Sequence, residues 1–416
     1  MLLRQSRLDR ADVVVERGNS SRRGFCRRAA VKGKQPKDEE QDPKPLVPGR
    51  SNGLPKVSHA VSIIAGPEVL SGRRGTLMKS ARLVSFASPL QTCEVPLPQP
   101  GGSEVVLRVV SAGICHTDLH LAEGHYDLGH GEKLLAADRG VKLPLTLGHE
   151  MVGSDGDENY LIYPWIGCGH CRVCDAGQEN LCAQPRTLGI FRDGGYAEYV
   201  AVPDKKYLLP LKGLDPLRAS PYACAGLTTY SALKKAGQLI HEEPIVFIGA
   251  GGLGLMALHL LQAMGGKGAV VVEIQPAKRE AALRAGALDT VDAGATDALQ
   301  QIIAKAGGTP QVVIDFVGSE STTQLGFKAL AKGGKLICVG LFGGAGSWPL
   351  PVIAMRAITI QGNYVGNLAE LSELLDLVRS SGMASIPIVH TTLDQVNPTL
   401  DALRRGQIEG RAVVVI

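Results

Sequence analysis

The chain has 416 residues, 51 of them glycine, with 44% apolar residues and a net charge of +4. That length allows two or three domains, each able to bury a core, and that composition excludes a fibrous or wholly disordered protein. The charge is uneven, 16 Lys/Arg against 8 Asp/Glu in residues 1–77 and 28 against 32 in the remainder, so the body is mildly acidic and implies no nucleic-acid surface.

In residues 1–77 no apolar period of 2 or 3.6 persists, and Arg22-Arg23, Arg27-Arg28, Lys32 and Lys34 are set among Ser, Gly and Pro. A basic, disordered extension is expected there. A mitochondrial transit peptide is the alternative, and Asp9, Asp12 and Glu16 are out of character for one. At Met78 the texture changes to a strand with a polar turn behind it. Short β-type runs such as 104–110, separated by Gly and Pro clusters, continue to about Pro203 and predict a compact, mostly β domain.

Within that domain, residues 168–182 read CGHCRVCDAGQENLC, four cysteines at C-x2-C-x2-C-x7-C. A closed cage of Cys168, Cys171, Cys174 and Cys182 leaves no open position, so a structural zinc ion is expected. A ferredoxin motif would place its fourth cysteine three residues on and before a proline, whereas seven residues intervene here and Ala183 follows. A nucleic-acid-binding zinc ribbon would carry basic and aromatic neighbours where this loop has Asp175 and Glu179. Nine cysteines, five of them between Cys168 and Cys224, fit metal ligation in a reducing compartment, and a cytoplasmic location is expected.

A second set is incomplete. Cys115, His149 and Cys224 offer two thiolates and an imidazole, which leave a zinc ion formally neutral with one position free for Lewis-acid chemistry on an alcohol. Each is weak alone, since a lone Cys or His is more often a buried residue. Their neighbours strengthen the reading. In GICHTDLH, Thr117 can bond an alcohol held on the metal, His120 can pass its proton to solvent, and Asp118 can fix the tautomer of a ligating histidine. Glu150, adjacent to His149, suits a role behind the ligands rather than among them.

Beyond Cys224 the period changes. Strands are predicted at 244–248, 269–273, 312–316 and 335–339, and helices at 253–264, 277–285 and 322–330. This alternation specifies a doubly wound parallel sheet. The longest apolar stretch, 244–266, approaches membrane-spanning length, but it breaks at Gly249-Ala250-Gly251-Gly252 and no membrane segment is expected. A helix at 368–381 and a strand at 412–416 end the chain. Gly249, Gly251, Gly252 and Gly254 form a G-x-G-x-x-G turn between strand and helix, where a pyrophosphate can approach the backbone. Glu273, at the end of the next strand, can accept from the adenosine ribose hydroxyls and favours NAD. A solvated carboxylate is the plainer alternative, and nearby Lys278 and Arg279 leave NADP open.

GICHTDLH, GHE, the four-cysteine loop, YACAGLT and GAGGLG, in that order, resemble the zinc-containing medium-chain alcohol dehydrogenases over essentially all of residues 78–416. The resemblance implies a GroES-like catalytic domain in two segments, 78–225 and 365–416, flanking a Rossmann domain at 226–364. It implies catalytic zinc on Cys115, His149 and Cys224, and a proton relay through Thr117 and His120. It also implies nicotinamide contacts at Thr228, pyrophosphate contacts at His116 and Arg411, and a dimer or tetramer acting on a small alcohol or aldehyde. Cofactors are then two zinc ions per subunit and NAD. An NADPH-linked aldehyde reductase of the same fold and an inactive truncated relative are the alternatives.

Two departures carry further expectations. Residues 123–144 are longer than in most relatives and precede a metal ligand, so they are expected to shape the substrate pocket. After GHEMVG, only Ser154-Asp155 separates Gly153 from Gly156-Asp157, where relatives run through strand, turn and strand. A catalytic domain missing a strand pair, and loosened by the loss, is expected.

Overall fold

The computed structural model describes residues 77–416. The expectation of a basic extension falls almost wholly on residues 1–76, outside the described residues.

Val105–Ile114 is the organising strand of the first half. Its early residues alternate, with Leu107 and Val109 buried and Arg108 exposed, as a strand with one wet face requires. From Ser111 to Ile114 every residue is buried. It lies in a seven-stranded sheet, ordered Leu208–Pro210, Asn159–Ile162, Glu150–Ser154, Val105–Ile114, Arg411–Val415 and Ile388–Thr392, with Tyr199–Val202 paired to its first half. The C-terminal strand pairs antiparallel to it with Ala412 opposite Ile114, which brings Arg411 beside Cys115. A smaller sheet of Gln91–Pro96, Leu77–Leu83 and Leu145–Thr146 completes this part.

No strand pair intervenes at the short link. Glu150–Ser154 and Asn159–Ile162 pair directly as a hairpin with Ser154 opposite Asn159. The turn is well held, because Asp155 Oδ1 accepts from the amides of Asp157 (3.1 Å) and Glu158 (2.9 Å), an Asx-type turn. Pairing continues from Asn159–Ile162 to Leu208–Pro210, so the sheet runs on without interruption. The shortening shows elsewhere: pairing with Glu150–Ser154 begins only at Arg108, and Val105, Val106 and Leu107 pair on one edge alone, with Tyr199–Val202. The long stretch at 123–144 does not fill that edge. Its strands His125–Gly129 and Glu132–Leu135 form a separate hairpin, tied to the second half of the chain where the Gly344 amide donates to the Asp127 carbonyl (3.3 Å).

The second half is a six-stranded parallel sheet ordered Asp289–Asp292, Ala269–Glu273, Ile245–Ile248, Val312–Asp315, Lys335–Cys338, Thr359–Gly362. Its four inner strands lie where the apolar runs place them. The outer two were not legible, because Asp289–Asp292 has only Val291 buried and Thr359–Gly362 has no buried residue, so neither carries an apolar run. The direction in which successive strands are added reverses between Ile245–Ile248 and Val312–Asp315, the switch point at which open α/β sheets form a ligand crevice.

Helix Leu368–Ser381 fastens this sheet's flank. Asn367 and Glu370 cap its start reciprocally, Asn367 Oδ1 accepting from the Glu370 amide (2.9 Å) and Glu370 Oε2 from the Asn367 amide (3.0 Å). Gly382 ends it in the left-handed region at φ 62°. Leu371, Leu374, Leu375 and Val378 repeat at helical spacing and are buried toward helix Ala225–Ala236, each leucine contributing about 1.5–3 kcal/mol of hydrophobic stabilisation. Among the described residues, no helix is long and apolar enough to cross a membrane.

Candidate metal and cofactor sites

Three separated segments deliver the open metal set. Cys115 follows the Val105–Ile114 strand and stands at the start of helix His116–Glu123, His149 precedes strand Glu150–Ser154, and Cys224 stands at the start of helix Ala225–Ala236. Ligand atoms of Cys115, His149, Cys224 and also Glu150 all lie within 4.8 Å of one another, and all four residues are buried. The Glu150 carboxylate, expected behind the ligands, is thus also close enough to the other three to join the set. That carboxylate also faces Arg411, with Nη2 3.1 Å from Oε1, both side chains being buried.

The donor set fits a cation. His149 is fully buried, and neither ring nitrogen makes a hydrogen bond. A buried imidazole in that state is costly unless a metal takes one nitrogen. Asp118 Oδ1 lies 3.4 Å from Nδ1, which leaves Nε2 as the ligating atom. Asp118 is itself pinned, its Oδ2 accepting from the Cys115 amide (2.8 Å) and the Tyr196 hydroxyl (2.9 Å). A hydrogen bond with Cys224 holds the Cys115 thiol well below its ordinary value despite burial, and Arg411 and His149 add to the effect; the Cys224 thiol is pushed up in return. Burial raises the Glu150 carboxyl to about 8 even though Arg411 opposes it. Trp165, which no local signal marks, packs edge-on against the His149 ring at 5.4 Å and donates from Nε1 to the Ala223 carbonyl (2.9 Å).

Thr117 Oγ1 is 3.8 Å from Cys115 Sγ, at the edge of the metal set. His120 is one turn further along the helix, half-buried against Tyr126 at 4.8 Å between ring centres. Burial holds its pKa below the ordinary histidine value. Among the described residues no hydrogen bond joins Thr117 to His120, so any proton passing between them needs a bridging hydroxyl.

The four-cysteine loop closes on itself. Its sulfurs approach at 3.5 Å (Cys171 to Cys174), 3.8 Å (Cys171 to Cys182) and 3.9 Å (Cys168 to Cys174). Four sulfurs at about 2.3 Å from one zinc sit roughly 3.8 Å apart, so the spacing suits zinc and is far too long for disulfides. Backbone amides of Cys168 and Gln184 donate to Cys182 Sγ (3.3 Å each), as they would to a thiolate. The pair is split, with Cys171 drawn down to about 6 chiefly by a backbone hydrogen bond at Cys174, and Cys174 pushed up to about 12 by burial first. Glu179, which by sequence only argued against nucleic acid, is buried and anchors the loop. Its carboxylate accepts from the Gly167 amide (3.0 Å), the Tyr207 hydroxyl (2.7 Å) and Lys206 Nζ (2.9 Å).

The glycine turn is shaped for a pyrophosphate. Gly249 has φ 98°, and a Cβ at Gly254 would collide with the Gly249 carbonyl oxygen. At Gly252 a Cβ would come within 2.6 Å of the Gly410 carbonyl, while at Gly251 it would meet nothing within 4 Å. Open space therefore lies over the one glycine whose backbone a phosphate must approach, and no side chain caps the helix Gly252–Ala263 that starts there. His116, exposed, stands close enough to Arg411 and Lys278 for their charges to bear on it. Arg411 lies beside Gly252, but its guanidinium is committed to the buried Glu150. Glu273 Oε2 accepts from the Ala250 amide (3.0 Å) and Oε1 from the Gln275 amide (2.9 Å), so this carboxylate braces the turn. Arg279 donates to the carbonyls of Glu273 and Ile274 (2.8 Å each) and pairs with Asp292 (3.2 Å), so it is engaged away from a ribose phosphate. Thr228 is buried one helical turn beyond Cys224, its amide donating to the Cys224 carbonyl (2.8 Å).

Residues 101–213 match the alcohol dehydrogenase GroES-like domain and residues 252–380 the zinc-binding dehydrogenase domain. NAD-dependent alcohol dehydrogenases of Sulfurisphaera tokodaii and Saccharolobus solfataricus are each 38% identical over 352 residues, covering 81% of this chain and 100% of theirs. The crystal structure of the alcohol dehydrogenase from Aeropyrum pernix is similar at a TM-score of 0.73 and 31% identity, over 81% of this chain and 100% of that one. This chain belongs to the zinc-containing medium-chain alcohol dehydrogenase family.

Proposed function

We propose that the protein is a zinc-dependent alcohol dehydrogenase that transfers hydride reversibly between a primary or secondary alcohol and NAD. The observation that carries this reading is the convergence of Cys115, His149 and Cys224, with a buried histidine whose ring nitrogens make no hydrogen bond, in a chain that also holds a dinucleotide crevice. Zinc on these residues supplies the Lewis acidity that acidifies an alcohol, and NAD accepts the hydride. Cys115, His149 and Cys224 hold that ion, while Asp118 orients His149. Thr117 positions the hydroxyl, and His120, whose neutral form burial favours, receives its proton and releases it to solvent. Cys168, Cys171, Cys174 and Cys182 hold the second ion without touching substrate. Following the formation of NADH by zinc-loaded protein across a panel of alcohols tests the reading; no turnover with any of them, at two zinc ions per subunit, would overturn it.

Residues 78–225 with 365–416 are assigned to the catalytic unit and 226–364 to the dinucleotide unit. The return of Arg411–Val415 to the strand beside Cys115 supports that division. A homodimer or homotetramer, and residence in the cytoplasm, complete the proposal; the eight free cysteines among the described residues support a reducing compartment.

Two outcomes are expected. Glu273→Ser should lower kcat/KM for NAD about tenfold and improve NADP, because it removes a charged acceptor from the glycine turn, a loss of about 1.4 kcal/mol. Unchanged steady-state kinetics with both cofactors would dismiss a cofactor role for Glu273. For His120, activity should rise with pH as the ring loses its proton, and burial places that acid limb below the ordinary value of about 6.5. His120→Gln should remove the limb and slow turnover about tenfold or more near neutrality, with the deficit shrinking at alkaline pH, where solvent hydroxide substitutes. Zinc content should be unaffected, and loss of metal would instead make His120 a ligand.

A further inference from the structure

Two trails of contact lead outward from the metal ligands and meet at one side chain. From His149, the Trp165 indole lies edge-on at 5.4 Å, and Tyr364 lies edge-on to that indole at 5.8 Å. From the helix that starts at Cys115, His120 lies 4.8 Å from the Tyr126 ring, and Arg139 Cζ sits 5.2 Å from that ring's centre. Burial pushes the Tyr126 hydroxyl up to about 12 with Arg139 opposing, and Arg139 likewise opposes the rise that burial causes at Tyr364, so one guanidinium faces both phenols.

Arg139 belongs to the long 123–144 stretch and is half-buried. Among the described residues no carboxylate lies within 4.0 Å of its guanidinium. The group cannot shed its charge, and a ring face offsets only part of its lost hydration. Its hydrogen bonding goes to the neutral phenols of Tyr126 and Tyr364, so the charge has no anion, and its planar fork of donors is the shape that matches a carboxylate.

Resting on the alcohol dehydrogenase reading above, we propose that Arg139 recognises a carboxylate at the far end of the substrate. The preferred alcohols are then hydroxy acids whose aliphatic or aromatic spacer lies among Tyr126, Trp165 and Tyr364. The reaction itself is unchanged: the carbinol carbon gives a hydride to NAD, its hydroxyl gives a proton to solvent, and the hydroxy acid becomes the aldehyde or keto acid. The carboxylate takes no part in bond making. It contributes selectivity, because a neutral alcohol of equal length leaves the guanidinium without its anion.

The test compares ω-hydroxy acids of increasing length with alkanols of the same length, and 4-(hydroxymethyl)benzoate with benzyl alcohol, in the zinc-loaded protein and in Arg139→Met and Arg139→Lys. At the best length the wild type should favour the acid over its neutral counterpart by about tenfold or more in kcat/KM, about the worth of one charge-assisted hydrogen bond. Arg139→Met should lose that ratio, and Arg139→Lys should keep part of it. Alkanols oxidised as well as the acids, or a preference that survives Arg139→Met, overturns the role of Arg139 while leaving the alcohol dehydrogenase reading in place. Should zinc-loaded protein oxidise neither series, that reading fails separately. Calorimetric binding of 4-(hydroxymethyl)benzoate then decides the proposal, weaker binding to Arg139→Met supporting it and equal binding overturning it.

Discussion

Replacing His149 with Gln should cost one of two zinc ions and lower kcat/KM by at least about a thousandfold, roughly 4 kcal/mol of lost transition-state stabilisation. The expectation follows from position. His149 is wholly buried, faces two thiols and a carboxylate within 4.8 Å, and is oriented by an Asp118 that three other groups hold. An amide side chain is a poor substitute for imidazole nitrogen, and two thiolates with Glu150 form a weaker and more negative set. The four-cysteine loop should keep its zinc, and NAD affinity should persist, because the glycine turn is built on the parallel sheet. Metal analysis, calorimetry with NAD and steady-state kinetics check all three. A variant with two zinc ions and normal turnover would remove His149 from the chemistry.

Cys171→Ser should act in the opposite place. The cage loses one of four thiolates, so zinc content should fall by about one ion and stability by roughly 3 kcal/mol or more, as expected when a bound metal is lost. The loop should loosen without the domain unfolding, because Glu179 ties it to Gly167, Lys206 and Tyr207 independently of the metal. Differential scanning calorimetry with metal analysis reads both effects. Two zinc ions and an unchanged Tm would show that the loop is not a metal cage.

The shortened hairpin bears on both variants. With Asp155 closing the turn and Asn159–Ile162 paired on both edges, the sheet next to His149 is continuous despite its shorter course. What the missing segment leaves is the single-sided pairing of Val105, Val106 and Leu107, nearly a strand's length from Cys115. The ligand set is thus assembled at the paired end of the strand and the exposed edge lies at the other.

Local order was legible in the amino-acid sequence. Strand and helix alternation from 244 to 339 is written in apolar runs and their punctuation, the four cysteines lie within one loop that can close only on itself, and the glycine turn is contiguous. Cys115, His149 and Cys224 could be suspected from their neighbours, but 109 residues separate the first from the last, and only the packing of strands and helix ends brings them together. The same is true of every contact that tunes the site. Arg411 meets Glu150 because Ala412 pairs opposite Ile114, Trp165 meets His149 across two segments, and Tyr196 holds Asp118 from 78 residues away. Periodicity reports which face of an element is buried. It carries no information about which distant charge or ring will share that burial, because strand order and register decide it, and they are settled only when the whole core packs.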